Sequence, residues 1–313
     1  MSTHPQDGRH LHWGAEALWQ RLEPLLPGLS IEIVARADST NTRLLERARR
    51  ASGQRDARIS RPGDLDPLQA EPATPLGRRT DDVMPCLLVA EHQTDGRGRL
   101  GRDWHASVGA SLTFSLALTL APREWSGLSL AVGLALADAL EPAAEAASQT
   151  PPAPRIGLKW PNDLWLMAAP GVGRKLGGIL IETINVGDRR MCVVGVGLNV
   201  APQPTDGPSA GSACLQELDP DLSAPAALAA VAEPLVRGLL AFQDRGFAPL
   251  QARFARRDLL AGQAVSTTAA GVAEGVAEGV DVHGGLRVRS GGVLHTLVSG
   301  EVSVRLQPGA AAC

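Results

Sequence analysis

Four short segments of this 313-residue chain carry side chains fit for chemistry. The first, residues 96–104 (GRGRLGRDW), sets Arg97, Arg99 and Arg102 among Gly96, Gly98 and Gly101 and closes on Trp104. Glycine lets a backbone bend closely around a ligand, and guanidinium offers a planar fork to carboxylate or phosphate. A loop of this kind can close over an anion and exclude water. The second, residues 159–163 (KWPND), brings Lys159, Asn162 and Asp163 together around Trp160 and Pro161. Asn162 offers both donor and acceptor, as an adenine edge requires. Asp163 can orient a lysine or hold Mg²⁺ through water. The third, residues 174–182 (RKLGGILIE), carries Lys175 into a strand, where Gly177 and Gly178 leave one sheet face bare for a flat ligand. The fourth, residues 195–199 (GVGLN), ends an apolar strand on Gly195, Gly197 and Asn199. Gln93, beside His92, precedes the arginine loop and is placed to hydrogen-bond a polar ring.

Each segment also has a plain structural reading. The arginine loop reads as a solvated basic hairpin, and Pro-Asn-Asp as ordinary turn chemistry. Lys175 reads as a surface lysine beside a turn, Asn199 as a backbone cap and His92 as a satisfied structural histidine. Composition tilts the balance. Of 30 basic residues only Lys159 and Lys175 are lysine. Arginine serves a solvated surface well, so a lysine kept against that bias points to a need for a compact ammonium.

Composition also excludes classes. The net charge of −3 argues against a wholesale nucleic-acid binder, although the three clustered arginines keep a small binding module as an alternative. Cys86, Cys192, Cys214 and Cys313 are widely spaced, which disfavours a structural zinc site or disulfide framework and favours a reducing, cytoplasmic setting. No apolar run approaches the ~18 residues of a membrane span. There is no HExxH, no Walker A loop and no G-x-S-x-G. The G-x-G-x-x-G match at 96–101 suggests a nicotinamide oxidoreductase, yet a strand follows it rather than a helix.

The elements that must position these residues can be read from periodicity. Residues 31–34 and 86–90 read as short strands. Between them, Asp38 or Ser39 caps a helix carrying Leu44, Leu45 and Ala48. Leu112, Phe114, Leu116, Leu118 and Leu120 alternate with polar or small residues, the pattern of a half-buried strand. Leu128, Val132, Ala135 and Ala139 mark a helix capped by Ser126, and Leu228, Val231, Leu235 and Leu239 a second. Residues 157–165, 178–184 and 191–200 read as strands. Residues 1–30 form an N-terminal extension, 31–261 an α/β catalytic domain, and 262–313 a small all-β barrel. The Arg/Asp/Pro/Gly-rich stretch 51–85 reads as an insertion and the Ala/Pro-rich stretch 141–154 as a loop.

Taken in this order, the segments resemble biotin protein ligase. The resemblance runs through Asp38 to Asn41, Gln93 with 96–104, 159–163, 175–182 and 195–199, and the glycine-spaced strands after 262 resemble the family's C-terminal domain. It implies a mixed-sheet α/β catalytic domain related to lipoate ligases, followed by an SH3-like barrel. It implies a ligase that uses ATP and Mg²⁺, forms biotinyl-5'-adenylate, and passes biotin to a lysine of a biotin carboxyl carrier protein. A lipoate or octanoate ligase is the rival within the fold. The resemblance gives catalysis to Lys175, Arg97 and Arg99. It gives biotin to Ser39, Thr40, Asn41, Gln93, Gly96, Arg97, Gly98, Arg99, Lys175 and Gly178. It gives the nucleotide to Arg102, Trp104, Lys159, Asn162 and Asn199, with Arg305 approaching the phosphates and Asp163 a site for Mg²⁺. Residues 1–30 lack a two-helix pattern, so DNA binding is not expected. A monomer or homodimer is expected, without membrane association.

Overall fold

The alternating run near 112–120 forms an inner strand of the main sheet, paired on both sides. The computed structural model describes residues 11–51, 83–142, 153–203, 211–298 and 302–307. The expected insertion at 51–85 and loop at 141–154 therefore lie almost wholly outside the described residues. In chain order the first elements are α1 (Ala15–Leu22), β1 (Ser30–Ala37), α2 (Thr40–Ala51), β2 (Cys86–Gln93), β3 (Gly96–Arg97), β4 (Asp103–Trp104) and β5 (Ser111–Thr119). They are followed by α3 (Leu128–Leu140), β6 (Ile156–Lys159), β7 (Asp163–Ala169), β8 (Val172–Val186), β9 (Arg189–Asn199), α4 (Ala224–Arg245) and α5 (Gln251–Ala255). Seven strands make a mixed sheet in the order β1-β2-β5-β9-β8-β7-β6, with only β1 and β2 parallel.

Strand β5 departs from the half-buried expectation. Every residue from Ser111 to Leu118 is buried. The period of two holds, but both faces are covered. Leu112, Phe114, Leu116 and Leu118 join the larger core with α3 and α4. Ala117 faces α2, where Leu44, Leu45 and Ala48 pack on Leu88 and Val193. Small hydroxyl residues of β5 are thus buried under a helix rather than solvated.

Other boundaries shift for identifiable reasons. The stretch 157–165 is not one strand, because residues 160–162 turn and split it into β6 and β7. Trp160 starts that turn. Lys175 lies within β8, not at its entry. Ser126 does not cap α3; Gly127 stands at the cap position with φ +80 and no side-chain bond is made. Ser39 does serve α2, accepting weakly from the Thr42 N–H at 3.4 Å. In the described part of the N-terminal stretch, Trp13, Leu18, Leu22, Leu26 and Leu29 enter the core. Helix α4 has the length and hydropathy of a membrane span. Its Leu228, Val231, Leu235 and Leu239 instead pack into the same core.

Five further strands, β10 (Ala264–Ala269), β11 (Val272–Val280), β12 (Leu286–Ser290), β13 (Val293–Leu297) and β14 (Val304–Leu306), form an antiparallel sheet in the order β13-β12-β11-β10-β14. It is all-β, as expected; among the described residues no ladder joins its edges β13 and β14. The chain enters it past Arg257, whose guanidinium bonds Asp138 Oδ1 and Glu141 Oε2, both at 2.8 Å, and the Ile156 carbonyl at 2.9 Å. Next to it the Leu158 N–H donates to the Arg257 carbonyl and the Leu259 N–H to the Leu158 carbonyl. Trp160 is buried, and its indole N–H donates to the Gly284 carbonyl at 3.0 Å. The 160–162 turn is therefore tied to the second sheet.

Asp258 sits in this junction. Its Oδ1 accepts from the Leu260 N–H at 2.9 Å, while Oδ2 is buried without a partner. Burial pushes the carboxyl up from 3.8 to about 6. An unfolded Asp loses its proton near ~3.9, so between about pH 4 and 6 the native state holds more protons. Stability from this group is full at lower pH and falls as pH rises through that window. Asp258→Asn keeps the acceptor and removes the buried charge. Thermal unfolding should show the variant more stable than wild type near pH 8 and no more stable near pH 4. An equal shift at both would rule out the carboxylate charge as the cause.

Candidate active site

A cavity of about 230 Å³ opens where α2 begins, beside the arginine loop, the inner ends of β8 and β9, and the tip of the second sheet. Of the sequence-predicted residues, Ser39, Thr40, Asn41, Gln93, Arg97, Gly98, Arg99, Arg102, Trp104, Lys159, Asn162, Asp163, Lys175 and Gly178 line it. Arg305 lines it as well, from β14.

One end is polar and closely bonded. The Thr40 N–H donates to Gln93 Oε1 at 2.8 Å. Ser115 Oγ lies 2.6 Å from both Thr40 Oγ1 and Asn41 Oδ1. Asn41 Nδ2 donates to the Leu180 carbonyl and to Glu182 Oε2. Gly195 makes room for this arrangement, since a Cβ there would stand 2.3 Å from Asn41 Oδ1.

The other end is cationic. The tight turn between β6 and β7 sets Lys159 opposite Asp163 across the hairpin. A bulge in β8 then puts Lys175 opposite Trp165 and Gly177 opposite Leu164, leaving Leu176 unpaired in that ladder. A bulge re-aims the side chains that follow it. Here it brings Lys175 back over Gly178, whose Cβ position is 3.6 Å from Lys175 Nζ. Lys175 Nζ bonds Asp163 Oδ1 at 2.9 Å and lies 6.0 Å from the Trp104 ring centre. Burial holds the Lys159 ammonium below the usual lysine range; Asp163 opposes this, and Lys175, Arg102 and Arg305 reinforce it. Burial likewise lowers the Arg99 guanidinium from its ordinary value.

The loop arginines rest on different elements. Arg97 donates to Thr42 Oγ1 at 3.2 Å and pairs with Glu182 Oε1 at 2.9 Å. Arg99 donates to Asn162 Oδ1 at 3.2 Å and to the Val302 carbonyl at 3.4 Å. Arg102 donates to Ser303 Oγ at 3.0 Å. Leu100 and Gly101 make the turn between them at φ +57 and φ +68.

Two predicted residues are not on the wall. Gly96 backs the loop, and a Cβ there would meet the Trp104 carbonyl oxygen at 2.3 Å. Asn199 donates to the Ala213 carbonyl at 3.0 Å, and its Oδ1 is buried without a partner. Asp163, expected as a site for Mg²⁺, pairs with Lys175 in this structure. Sequence reasoning missed Ser115, Glu182 and Ser303. Ser115 looked like part of a solvated strand face. Glu182 closed a motif without a role. Ser303 sits in a stretch with no pattern of its own.

The Biotin/lipoate A/B protein ligase family model matches residues 80–199, and that of the Biotin protein ligase C terminal domain matches residues 261–305. The Biotin--[acetyl-CoA-carboxylase] ligase of Mycobacterium tuberculosis is 32% identical over 304 residues, 92% of this chain and 91% of that protein. This chain belongs to the biotin protein ligase family. The Bifunctional ligase/repressor BirA of Escherichia coli is 33% identical over 224 residues; the match spans 69% of this chain but only 65% of that longer relative. The biotin protein ligase of Aquifex aeolicus, solved in complex with biotin and ATP, superposes with a TM-score of 0.61 at 25% identity, covering 89% of this chain and 99% of that one. The family fold is thus the mixed sheet with its C-terminal β sheet.

Gly197 and Gly178 should respond differently to alanine. A Cβ on Gly197 would lie 2.4 Å from the Trp104 indole, whereas on Gly178 the nearest atoms are at 3.5 and 3.6 Å. Gly197→Ala should lose about 1–3 kcal/mol in chemical denaturation and displace Trp104. Gly178→Ala should unfold like wild type. Equal stability of both would mean that Trp104 does not press on Gly197.

Proposed function

We propose that this protein activates biotin with ATP and transfers it to a lysine of a biotin carboxyl carrier protein. The observation that carries this reading is the convergence of Arg97, Arg99, Arg102, Lys159 and Lys175 on one cavity whose other end holds Ser39 and the hydrogen-bonded pair Thr40 and Gln93. Two anions, a carboxylate and a triphosphate, repel each other in water. A cavity already lined with cations favours their meeting.

In the first step a biotin carboxylate oxygen attacks the α-phosphorus. The P–O bond to the β-phosphate breaks, pyrophosphate leaves, and biotinyl-5'-adenylate forms. In the second, the neutral amine of the acceptor lysine attacks the acyl carbon. The acyl–phosphate C–O bond breaks, AMP leaves, and the amine loses a proton. The polar end would hold the ring of biotin. Lys175, steadied by Asp163, suits the α-phosphate, where charge builds up. Arg97 and Arg99 suit the carboxylate and the developing charge, and Arg102 with Arg305 the outer phosphates. Lys159 and Asn162 complete the nucleotide end beside Trp104. Magnesium is taken as part of the ATP substrate, carried on its phosphates.

Residues 31–261 would then carry the reaction, with 262–313 lending Ser303 and Arg305. The relatives named as ligases of acetyl-CoA carboxylase support the choice of acceptor. Cys86, Cys192 and Cys214 are buried and none is in a disulfide, which suits the cytoplasm.

Pyrophosphate release with Mg-ATP should appear with biotin and not with lipoate. Lys175→Arg keeps the charge but spreads and misplaces it. Adenylation by this variant should fall by about 10²–10³ while biotin binding, measured by calorimetry, changes little. Near-normal turnover in Lys175→Arg would remove Lys175 from its role, and lipoate-only product would change the substrate.

A further inference from the structure

We infer that Leu100 is the residue against which the acceptor lysine lays its methylene stem as it enters the cavity; the inference rests on the ligase reading above. Leu100 stands at φ +57 and ψ +33, and Gly101 follows at φ +68. The Arg102 N–H closes this turn on the Arg99 carbonyl at 3.3 Å. A tight turn with both central residues at positive φ favours Asn-Gly or Gly-Gly, because a Cβ there crowds the following carbonyl oxygen. Among the described residues Leu100 is the one non-glycine with positive φ.

The fold returns nothing for this strain. The Leu100 side chain is 53% exposed and belongs to neither hydrophobic cluster. A single exposed leucine is ordinary on a protein surface. An exposed leucine in a turn that Asn would form at lower cost is not. Strain of this kind, unrewarded by packing, points to a contact with something outside the chain.

Position indicates which contact. Leu100 lines the cavity and is more than half open to solvent, so it stands at the mouth. Its neighbours are turned to other elements, Arg99 to Asn162 and Val302 and Arg102 to Ser303. The phosphates are served by the cations, and Phe114, Ile179 and Val196 within the cavity offer apolar surface to the chain of biotin. The substrate that must still cross the mouth is the acceptor lysine, with a four-carbon stem behind its amine. Such side chains lay their stems along apolar surface while the head passes on to polar surroundings. The transfer step is as above: the neutral amine attacks the acyl carbon, the C–O bond to phosphate breaks, AMP leaves and the amine gives up a proton. Leu100 acts on the approach and takes no part in the bond changes.

The test uses the full-length protein with biotin, Mg-ATP and the biotin carboxyl carrier domain of an acetyl-CoA carboxylase. Hydroxylamine serves as a second acceptor, one without a stem. Leu100→Asn suits the turn and removes the apolar surface. The KM for the carrier domain should rise about 5- to 20-fold. Pyrophosphate release without carrier, the KM values for biotin and ATP, and hydroxamate formation from hydroxylamine should stay within about twofold. The melting temperature should not fall, since the turn is relieved. Leu100→Met, still apolar and of similar size, should keep the wild-type carrier KM. An unchanged carrier KM in Leu100→Asn would overturn the inference. Faster hydrolysis of the adenylate, or an equal loss with hydroxylamine, would do the same and make Leu100 a shield against water. A drop in melting temperature would make it a packing residue and overturn the inference too. A wild-type protein that forms no biotinyl-adenylate would instead overturn the functional reading itself.

Discussion

Cations that repel one another are the constraint around which this structure is built. Lys159 and Lys175 share Asp163, while Arg102 and Arg305 add to the positive charge around Lys159. At an effective dielectric of ~20, two like charges 4 Å apart cost about 4 kcal/mol. Flexible side chains would relieve that repulsion by moving apart. Here they are anchored on a sheet, so the repulsion remains until an anion arrives. Charge fixed in advance stabilises a transition state without reorganising at the moment of reaction. Asp163 sets the balance: it steadies Lys175 without cancelling the surrounding field.

The anchoring depends on small backbone devices. A three-residue turn sets Lys159 across from Asp163, and its Trp160 is tied to the second sheet through Gly284. The bulge at Leu176 restores Lys175 to the face of Gly178. Gly195 leaves room for Asn41 and Gly197 for Trp104. Gly195 and Gly197 each admit a side chain from another element, while Gly178 leaves its face open to the cavity.

That distinction marks how far the sequence could be read. The arginine loop, the KWPND run and the lysine-glycine strand were legible because their residue types are unusual for plain structure, and most of their side chains do meet at one cavity. Ser115 was not legible. On a strand that alternates Leu and small polar residues, solvent and a covering helix leave the same pattern, and only the position of α2 decides between them. The bulge was equally hidden, since an inserted residue does not disturb an apolar run. Helix α1 left a trace in Leu18 and Leu22, four apart after Gly14, but a single turn of periodicity is weak against a polar background. Asn199 carried a signal with two meanings, a cap or a ligand contact. The structure places it on the Ala213 carbonyl, off the cavity wall.

The arginine loop gains meaning from where its side chains rest. Arg97 leans on β8 through Glu182, Arg99 on the 160–162 turn and Val302, and Arg102 on Ser303. The loop thereby bridges both sheets. Glu182 is the joint, with Oε1 on Arg97 and Oε2 on Asn41. These two bonds differ in strength. The Arg97 side chain is 43% exposed, and an exposed pair of this kind contributes at most about 1 kcal/mol. Asn41 is buried, and losing its bond would strand a polar group. An incoming carboxylate can therefore draw Arg97 away from Glu182 at little cost, while Asn41 keeps its place. On the proposed reading, the ring end would stay rigid and the loop end exchange, so that ring recognition would persist while charge is delivered to the reacting groups.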